Sequence, residues 1–319
     1  MAAPHSVSAG PSSFWVVSDT YHVPVLVEPV ARLAAGRRRV VDGTVGGGGH
    51  TALFRAAGAD VLAVDRDPAA LAAARRRLGD DGVRYLAGSF ASEVVWQAAA
   101  DFRPDAVLLD LGVSSHQLDA DARGFSFRPG APLDMRMTGE GSTAADVLNT
   151  LSAAALETLF RTNADERRAR RLARAIVERR ERQPFATSDD LVGAIRRALG
   201  PRSGPADFAR LFQAVRIAVN DELGALADAL PHLRDALVPG GVLAVISYHS
   251  GEDRLVKVAF RAWARACHCP PHQPVCTCGG TSRGTVLTRR VIRPTAEEIA
   301  ANPRARSARL RVFEVADGR

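Results

Sequence analysis

Val40-Val41-Asp42-Gly43-Thr44-Val45-Gly46-Gly47-Gly48-Gly49-His50 joins a short β-branched run to a cluster of glycines, and then to an Ala- and Leu-containing stretch. A buried strand that ends in glycines bends sharply, and without Cβ atoms its backbone can approach a ligand closely. Two further runs end in an acid in the same manner. Val61–Asp65 closes on Asp65, and Asp105–Leu111 carries Asp110 near its end. Acids at the carboxyl ends of neighbouring parallel strands mark the crevice where open α/β sheets bind ligands.

Working outward, strands are expected at Arg39–Asp42, Val61–Asp65, Val83–Leu86 and Asp105–Leu111, with helices between them such as Pro68–Leu78. This alternation predicts an α/β fold with a doubly wound, mostly parallel sheet. From about Gly112 to Gln213 the pattern holds loop and helix and no strand. It resumes with Val242–Ser247, a helix around Arg254–Ala266, and late strands near Thr285–Ile292 and Arg309–Val315. The expected organisation is a flexible leader at 1–20, a sheet domain from 21–115 and 214–319, and a helical insertion at 116–213 after the fourth strand. Gly124–Gly141, with Met135 and Met137, is a long Gly/Pro-containing stretch of the kind that is often functional.

The 319 residues can bury a sizeable core, and 46% hydrophobic with 24% charged residues is ordinary globular composition. The net charge is +7, and Lys257 is the only lysine, so nearly all the positive charge is guanidinium. Arginine's planar fork suits phosphate, which favours a nucleic-acid partner. No apolar run approaches a membrane span, and the first twenty residues lack the pattern of a signal peptide. Four cysteines crowded between Cys267 and Cys278 are unlike a secreted disulfide framework, and a cytoplasmic protein is expected.

Two cofactors compete for the glycine loop. Gly47-x-Gly49-x-x-Ala52 satisfies a dinucleotide pattern, but a run of four glycines satisfies many patterns. A carboxylate at Asp42 would repel a pyrophosphate and attract the ammonium of S-adenosylmethionine, while Asp65 can bind both hydroxyls of a ribose. A purely structural turn, with Asp42 capping the next helix, is the simpler alternative.

Other segments extend the pattern: His22-Val23-Pro24-Val25-Leu26 with Glu28, Asp42-Gly43-Thr44 through His50, and Asp110-Leu111-Gly112-Val113-Ser114-Ser115 with Gln117. Arg123-Gly124-Phe125-Ser126-Phe127 and Pro132-Leu133-Asp134-Met135-Arg136-Met137 follow. Later come Phe212-Gln213-Ala214, Arg216-Ile217, Val219-Asn220 with Glu222-Leu223, Tyr248-His249-Ser250 with Glu252-Asp253-Arg254, and Asn302 to Ala308. Together they resemble the bacterial small-subunit ribosomal RNA cytosine-N4 methyltransferases, from about Tyr21 to the end of the chain. The resemblance implies a Rossmann-like class I methyltransferase sheet and S-adenosylmethionine as cofactor. It implies cofactor contacts from Gly48, Gly49, His50, Asp65, Phe90, Asp110 and Gln117. It also implies a small-subunit ribosomal RNA or ribosomal particle as substrate. Phe90 can equally be a core aromatic, Gln117 a surface residue and His50 a helix-start residue. Two segments depart from the family's pattern. Gly204–Arg210 keeps only Arg210 of a His-Pro-Ala-Thr-Arg type run, and Gly251 replaces an apolar residue.

Methylating a cytosine amine requires an acceptor that localises a delocalised nitrogen lone pair and holds it against the methyl group. Asp110 is the expected catalytic acceptor, although the same carboxylate can serve the cofactor alone. Methylation at cytosine carbon five would need a cysteine nucleophile, and none follows the fourth strand. His249 either faces the cleft or is an ordinary loop histidine. Arg161–Arg182 sets nine arginines against four acids, so Arg167, Arg171 and Arg174 form either an RNA-phosphate track or a solvated helix face. Arg304, Arg306, Arg309 and Arg311 extend that track or solvate a terminal strand. Cys267, Cys269, Cys276 and Cys278 suit a structural, four-thiolate zinc site, or remain free thiols. Two rival functions stay open: a dinucleotide-dependent oxidoreductase, and a non-catalytic RNA-binding ribosome-assembly protein.

Overall fold

The computed structural model describes residues 24–112, 124–267, 269, 270, 273, 275 and 277–317. The expected leader, Gln117 and Cys276 lie outside the described residues. Seven strands form one sheet: β1 (Arg39–Asp42), β2 (Asp60–Asp65), β3 (Val83–Ala87), β4 (Ala106–Asp110), β5 (Val242–Ser247), β6 (Gly284–Val286) and β7 (Arg309–Val315). Their order is β3-β2-β1-β4-β5-β7-β6. The first five strands run parallel, and β7 is antiparallel to both β5 and β6. The chain moves outward from β1 to β3 and then returns to place β4 on the other side of β1. That reversal opens the crevice at the carboxyl ends of β1 and β4, as the acids predicted.

The strands are buried on both faces, which is why they read as continuous apolar runs. Val40, Leu108, Ala244 and Val312 point to one side, where they pack with Val30, Phe54 and Ala74 from α1 (Val27–Ala34), α2 (Gly49–Ala56) and α3 (Pro68–Leu78). Their chain neighbours Val41, Leu109, Val245 and Phe313 point to the other side. There they meet Val95 of α4 (Glu93–Phe102), Leu233 on the helix that returns from the insertion, and Phe260 on the helix after β5.

The insertion contains α5 (Ala144–Thr150), α6 (Ala153–Ala164), α7 (Ala169–Arg180), α8 (Ser188–Leu199) and α9 (Pro205–Asn220); α10 (Glu222–Ala236) returns to the sheet. These helices bury a core of their own, from Phe125 to Val215. The helical spacing of buried Leu172, Ala173 and Ile176 in α7, and of Leu191, Ala194 and Ile195 in α8, builds it. The boundary expected at 213/214 falls inside α9, whose buried Ala214, Val215 and Ile217 continue the same helix.

Two late elements differ from expectation. The helix after β5, α11 (Ser250–Trp263), begins four residues early because His249 caps it. His249 Nδ1 accepts the N–H groups of Gly251 and Glu252 at 3.2 and 3.4 Å, and Glu252 Oε2 accepts the N–H of Tyr248 at 2.9 Å. The expected strand Thr285–Ile292 is interrupted. After Val286 the Thr288 hydroxyl takes the N–H of Val312, and pairing returns only as the isolated bridge of Ile292 with Leu310. α12 (Ala296–Ala301) and a 3-10 turn (Pro303–Ser307) then lead into β7. No helix among the described residues is long and apolar enough to cross a membrane.

Candidate active site

The glycine loop after β1 is tied to the ends of both neighbouring strands. Gly43 N–H donates to the Leu108 carbonyl at 2.9 Å, and Asp110 N–H donates to Thr44 Oγ1 at 2.6 Å. On the other side, Asp65 Oδ2 accepts the N–H of Gly46 and Oδ1 that of Asp67, both at 2.9 Å. Gly48 then caps α2 in a left-handed conformation, φ +77°, where a Cβ would lie 2.8 Å from Leu78 of α3. Glycine is favoured there by the left-handed backbone, and a side chain would also make Leu78 shift.

Asp42 does not face a ligand, contrary to expectation. It is 1% exposed and absent from the cleft wall. It accepts the Thr51 hydroxyl at 2.6 Å and the Thr44 N–H at 3.3 Å, so it locks the start of α2 to the loop. Burial pushes its carboxyl above the ordinary range.

The cleft brings together Gly49, His50, Asp65, Phe90 and Asp110, five of the seven residues expected to touch the cofactor. Gly48 sits beneath, turned toward Leu78 and Ala74 of α3, and Gln117 lies outside the described residues. Asp110 is the centre of the polar wall, with a side chain only 9% exposed. Its Oδ1 accepts the Tyr248 hydroxyl at 2.9 Å, and His50 Nδ1 lies 3.6 Å from Oδ2. His50 Nε2 is 2.8 Å from the Val25 carbonyl; since a carbonyl only accepts, Nε2 is the donor of this bond. Burial, then the neighbouring Asp110 charge, pushes the Tyr248 phenol well above its ordinary range, so it stays a neutral donor.

Sequence reasoning missed the residues that the insertion supplies. Asn220, at the end of α9, accepts the Met137 N–H at 2.9 Å and donates to the Met135 carbonyl at 2.8 Å. This clamp brings Met137 to the cleft wall beside Arg66. Glu222 opens α10 and forms a two-pronged pair with half-buried Arg216 at 2.8 and 2.9 Å. Asn220 and Glu222 both stood in quoted motifs, but nothing in their spacing pointed to a cleft more than a hundred positions upstream.

Among the described residues, Asp65, Asp110, Glu222 and Glu252 line this cleft against a single arginine, Arg66. A pyrophosphate would meet that wall at a cost, whereas a sulfonium and an ammonium are attracted to it. Val45, Ala70, Phe90, Leu111 and Met137 give an apolar lining for a flat base, and Asp65 offers acceptors for a ribose diol. The residues present therefore fit S-adenosylmethionine.

The remaining expected sites lie elsewhere. Arg167 lines a second groove, and Arg171 and Arg174 stand on the exposed face of α7. His249 belongs to that second groove and not to the cofactor cleft. Arg311 leaves the proposed basic track, being 8% exposed and held by Asp253 at 2.7 and 3.2 Å. The Sγ atoms of Cys267, Cys269 and Cys278 lie within 4.8 Å of one another.

The model of the MraW methylase family matches residues 19–316. A ribosomal RNA small subunit methyltransferase H from Gemmatimonas aurantiaca is 58% identical over 304 residues, covering 94% of this chain and 96% of that protein. Its counterpart from Heliobacterium mobile is 47% identical over 309 residues, 93% of this chain and 99% of the relative. That from Anaeromyxobacter sp. (strain K) is 47% identical over 307 residues, 93% and 98% respectively. With nearly its whole length matched at this identity, and with a cleft built to take S-adenosylmethionine, the chain belongs to the MraW methylase family.

Proposed function

We propose that this methyltransferase transfers a methyl group to the exocyclic N4 of a cytosine in small-subunit ribosomal RNA. The observation that carries the reading is Asp110, an acid fixed in the cleft by Thr44, Tyr248 and its proximity to His50. S-adenosylmethionine supplies an electrophilic methyl on sulfur. N4, on gaining that methyl, must release one proton. Asp110 accepts an N–H of the amine, concentrates its lone pair toward the methyl, and is placed to take that proton as the new bond forms. Tyr248 holds the carboxylate in orientation. Among the described residues no cysteine lines the cleft, which disfavours attack through cytosine carbon five.

Residues 124–220 serve in this reading as the RNA-recognition unit, with the exposed guanidinium groups of Arg167, Arg171 and Arg174 meeting phosphates. Such a substrate places the protein's work in the cytoplasm. Cys267, Cys269 and Cys278, joined by Cys276, would hold a structural zinc ion. Support comes from the convergence of three thiols and from the Thr277 N–H, which holds the Cys269 thiol below its ordinary range. None of the described cysteines borders the cleft, which supports a structural and not a catalytic role for the metal.

The test is labelled-methyl transfer to small-subunit RNA and to ribosomal particles, followed by nucleoside analysis. N4-methylcytidine is expected, with turnover lost in Asp110→Ala and RNA affinity kept. Methyl on carbon five, on another base or only on protein would defeat the substrate assignment. RNA binding with no transfer to either substrate would favour the non-catalytic reading.

A further inference from the structure

A second groove adjoins the cofactor cleft, between the helical unit and the sheet. Arg167, Arg202 and Arg210 line it from the helical side, and Tyr248, His249 and Arg309 from the sheet side. Tyr248 belongs to both cavities, so its ring links the groove to Asp110, to which its hydroxyl is bonded. We infer that this groove is the path of a single-stranded RNA segment, whose backbone is held by its arginines and by His249 Nε2 while the target base passes Tyr248. The inference rests on the RNA reading above and assigns the strand a route that reading leaves open.

The charges of the groove are arranged for an anion. Its carboxylates are Asp165, Glu166 and Asp207, and each is already engaged. Arg210 binds Glu166 at 2.5 Å and Asp207 at 3.4 Å, while Asp165 accepts the Ser250 hydroxyl at 2.8 Å and lies 3.8 Å from Arg254. Arg167 and Arg202 are exposed and form no ion pair among the described residues. The groove's remaining positive charge therefore faces outward, where phosphates can neutralise it.

His249 supplies an independent sign of a ligand. Its Nδ1 is an acceptor, because the backbone N–H groups of Gly251 and Glu252 both point at it. Nε2 then bears the proton, yet among the described residues it is buried without a hydrogen-bond partner, on a side chain 7% exposed. Glu252 Oε1 is 3.1 Å away, but off the N–H direction. Arg309 Nε is likewise buried without a partner among the described residues, although its Nη1 lies 3.6 Å from Asp253. Buried donors left unsatisfied are uncommon, and two of them on one groove point to an acceptor that arrives with the ligand. Gly251 contributes directly: a Cβ there would lie 3.1 Å from the His249 ring.

A duplex keeps a cytosine amine inside its stack, whereas a single strand can turn one base past Tyr248 toward Asp110. With phosphates as the main contacts, binding should be strongly salt-dependent.

The test measures fluorescence anisotropy of a short single-stranded RNA carrying one central cytosine, and of the same sequence as a duplex, across a salt series. The double variant Arg167→Ala/Arg202→Ala should bind about tenfold more weakly, with the slope of log affinity against log salt reduced by about 1.4. His249→Asn keeps an acceptor for the helix cap and removes only the Nε2 donor. It should lose about five- to tenfold in RNA affinity, with an unchanged melting temperature and S-adenosylmethionine affinity. Wild-type affinity and salt slope in the double variant, with the loss appearing instead in Arg171→Ala/Arg174→Ala, would place RNA on the outer face of α7. That result would overturn the groove and leave the RNA reading intact. Equal binding of the duplex would also overturn it. Failure of the wild-type protein to bind or methylate any RNA would instead defeat the proposed function itself.

Discussion

Replacing Asp65 by alanine separates a cofactor contact from a loop support. Both oxygens of Asp65 already accept a backbone N–H, from Gly46 and Asp67, at 2.9 Å. Each carboxylate oxygen offers about two acceptor positions, so one on each oxygen is left for the cleft, enough for the two hydroxyls of a ribose. A hydrogen bond to a charged acceptor contributes about 1.5–3 kcal/mol. Counting one such bond as a lower bound, Asp65→Ala should weaken S-adenosylmethionine binding by about 10- to 150-fold. Asp65→Asn keeps the shape but turns an amide N–H toward one of the two backbone donors, so its affinity should fall between the two. Titration calorimetry at about pH 8 measures both variants, and melting without cofactor reports the loop alone. The acid side carries a second signature. Burial pushes the Asp65 carboxyl above its ordinary range. The ionised acceptor is lost as pH falls, so wild-type affinity should begin to weaken at a higher pH than an ordinary carboxylate would give. That limb should vanish in the alanine variant. Alanine binding within about threefold of wild type would refute the ribose contact and leave Asp65 as a support for the Gly46 turn.

Two further predictions concern stability. The folded protein holds the Asp42 proton more tightly than the unfolded chain, because burial raises that carboxyl. The resulting stability is complete below the ordinary value of 3.8 and is lost as pH rises through the raised one. Asp42→Asn should therefore flatten the decline in urea midpoint above about pH 4, and an unaltered decline would show that other groups cause it. For the cysteines, metal analysis should find about one zinc per chain, lost in Cys269→Ser with a lower melting temperature and unchanged S-adenosylmethionine affinity. Metal-free protein whose melting temperature does not respond to added zinc would dismiss the site.

The parallel strands and the acids ending β2 and β4 were legible because their causes are local: β-branched runs, a glycine turn, and an acid at the end of a strand. Asp42 misled because sequence shows that an acid precedes the glycines but not that Thr51, nine positions later, turns to bind it. Gly48 illustrates the same limit, since a run of four glycines does not reveal which one meets the ligand and which one meets Leu78. The start of α11 was hidden by an unusual cap, as histidine is not among the common cap residues. The Tyr248–Asp110 bond joins positions 138 apart, and the Asn220 clamp on Met135 and Met137 spans more than eighty. Contacts of this length arise from the reversal at β1 and β4 and from the way the insertion folds back. Neither leaves a periodic trace in the chain.

The two places where the helical unit joins the sheet share one address. The chain leaves β4 through Leu111 and Gly112 and comes back through Asn220 and Glu222, and all four residues line the cofactor cleft. The same residues therefore carry both the covalent joints of the helical unit and the wall of the cofactor site, so a substitution at Asn220 or Glu222 should disturb cofactor binding and the seating of the unit together.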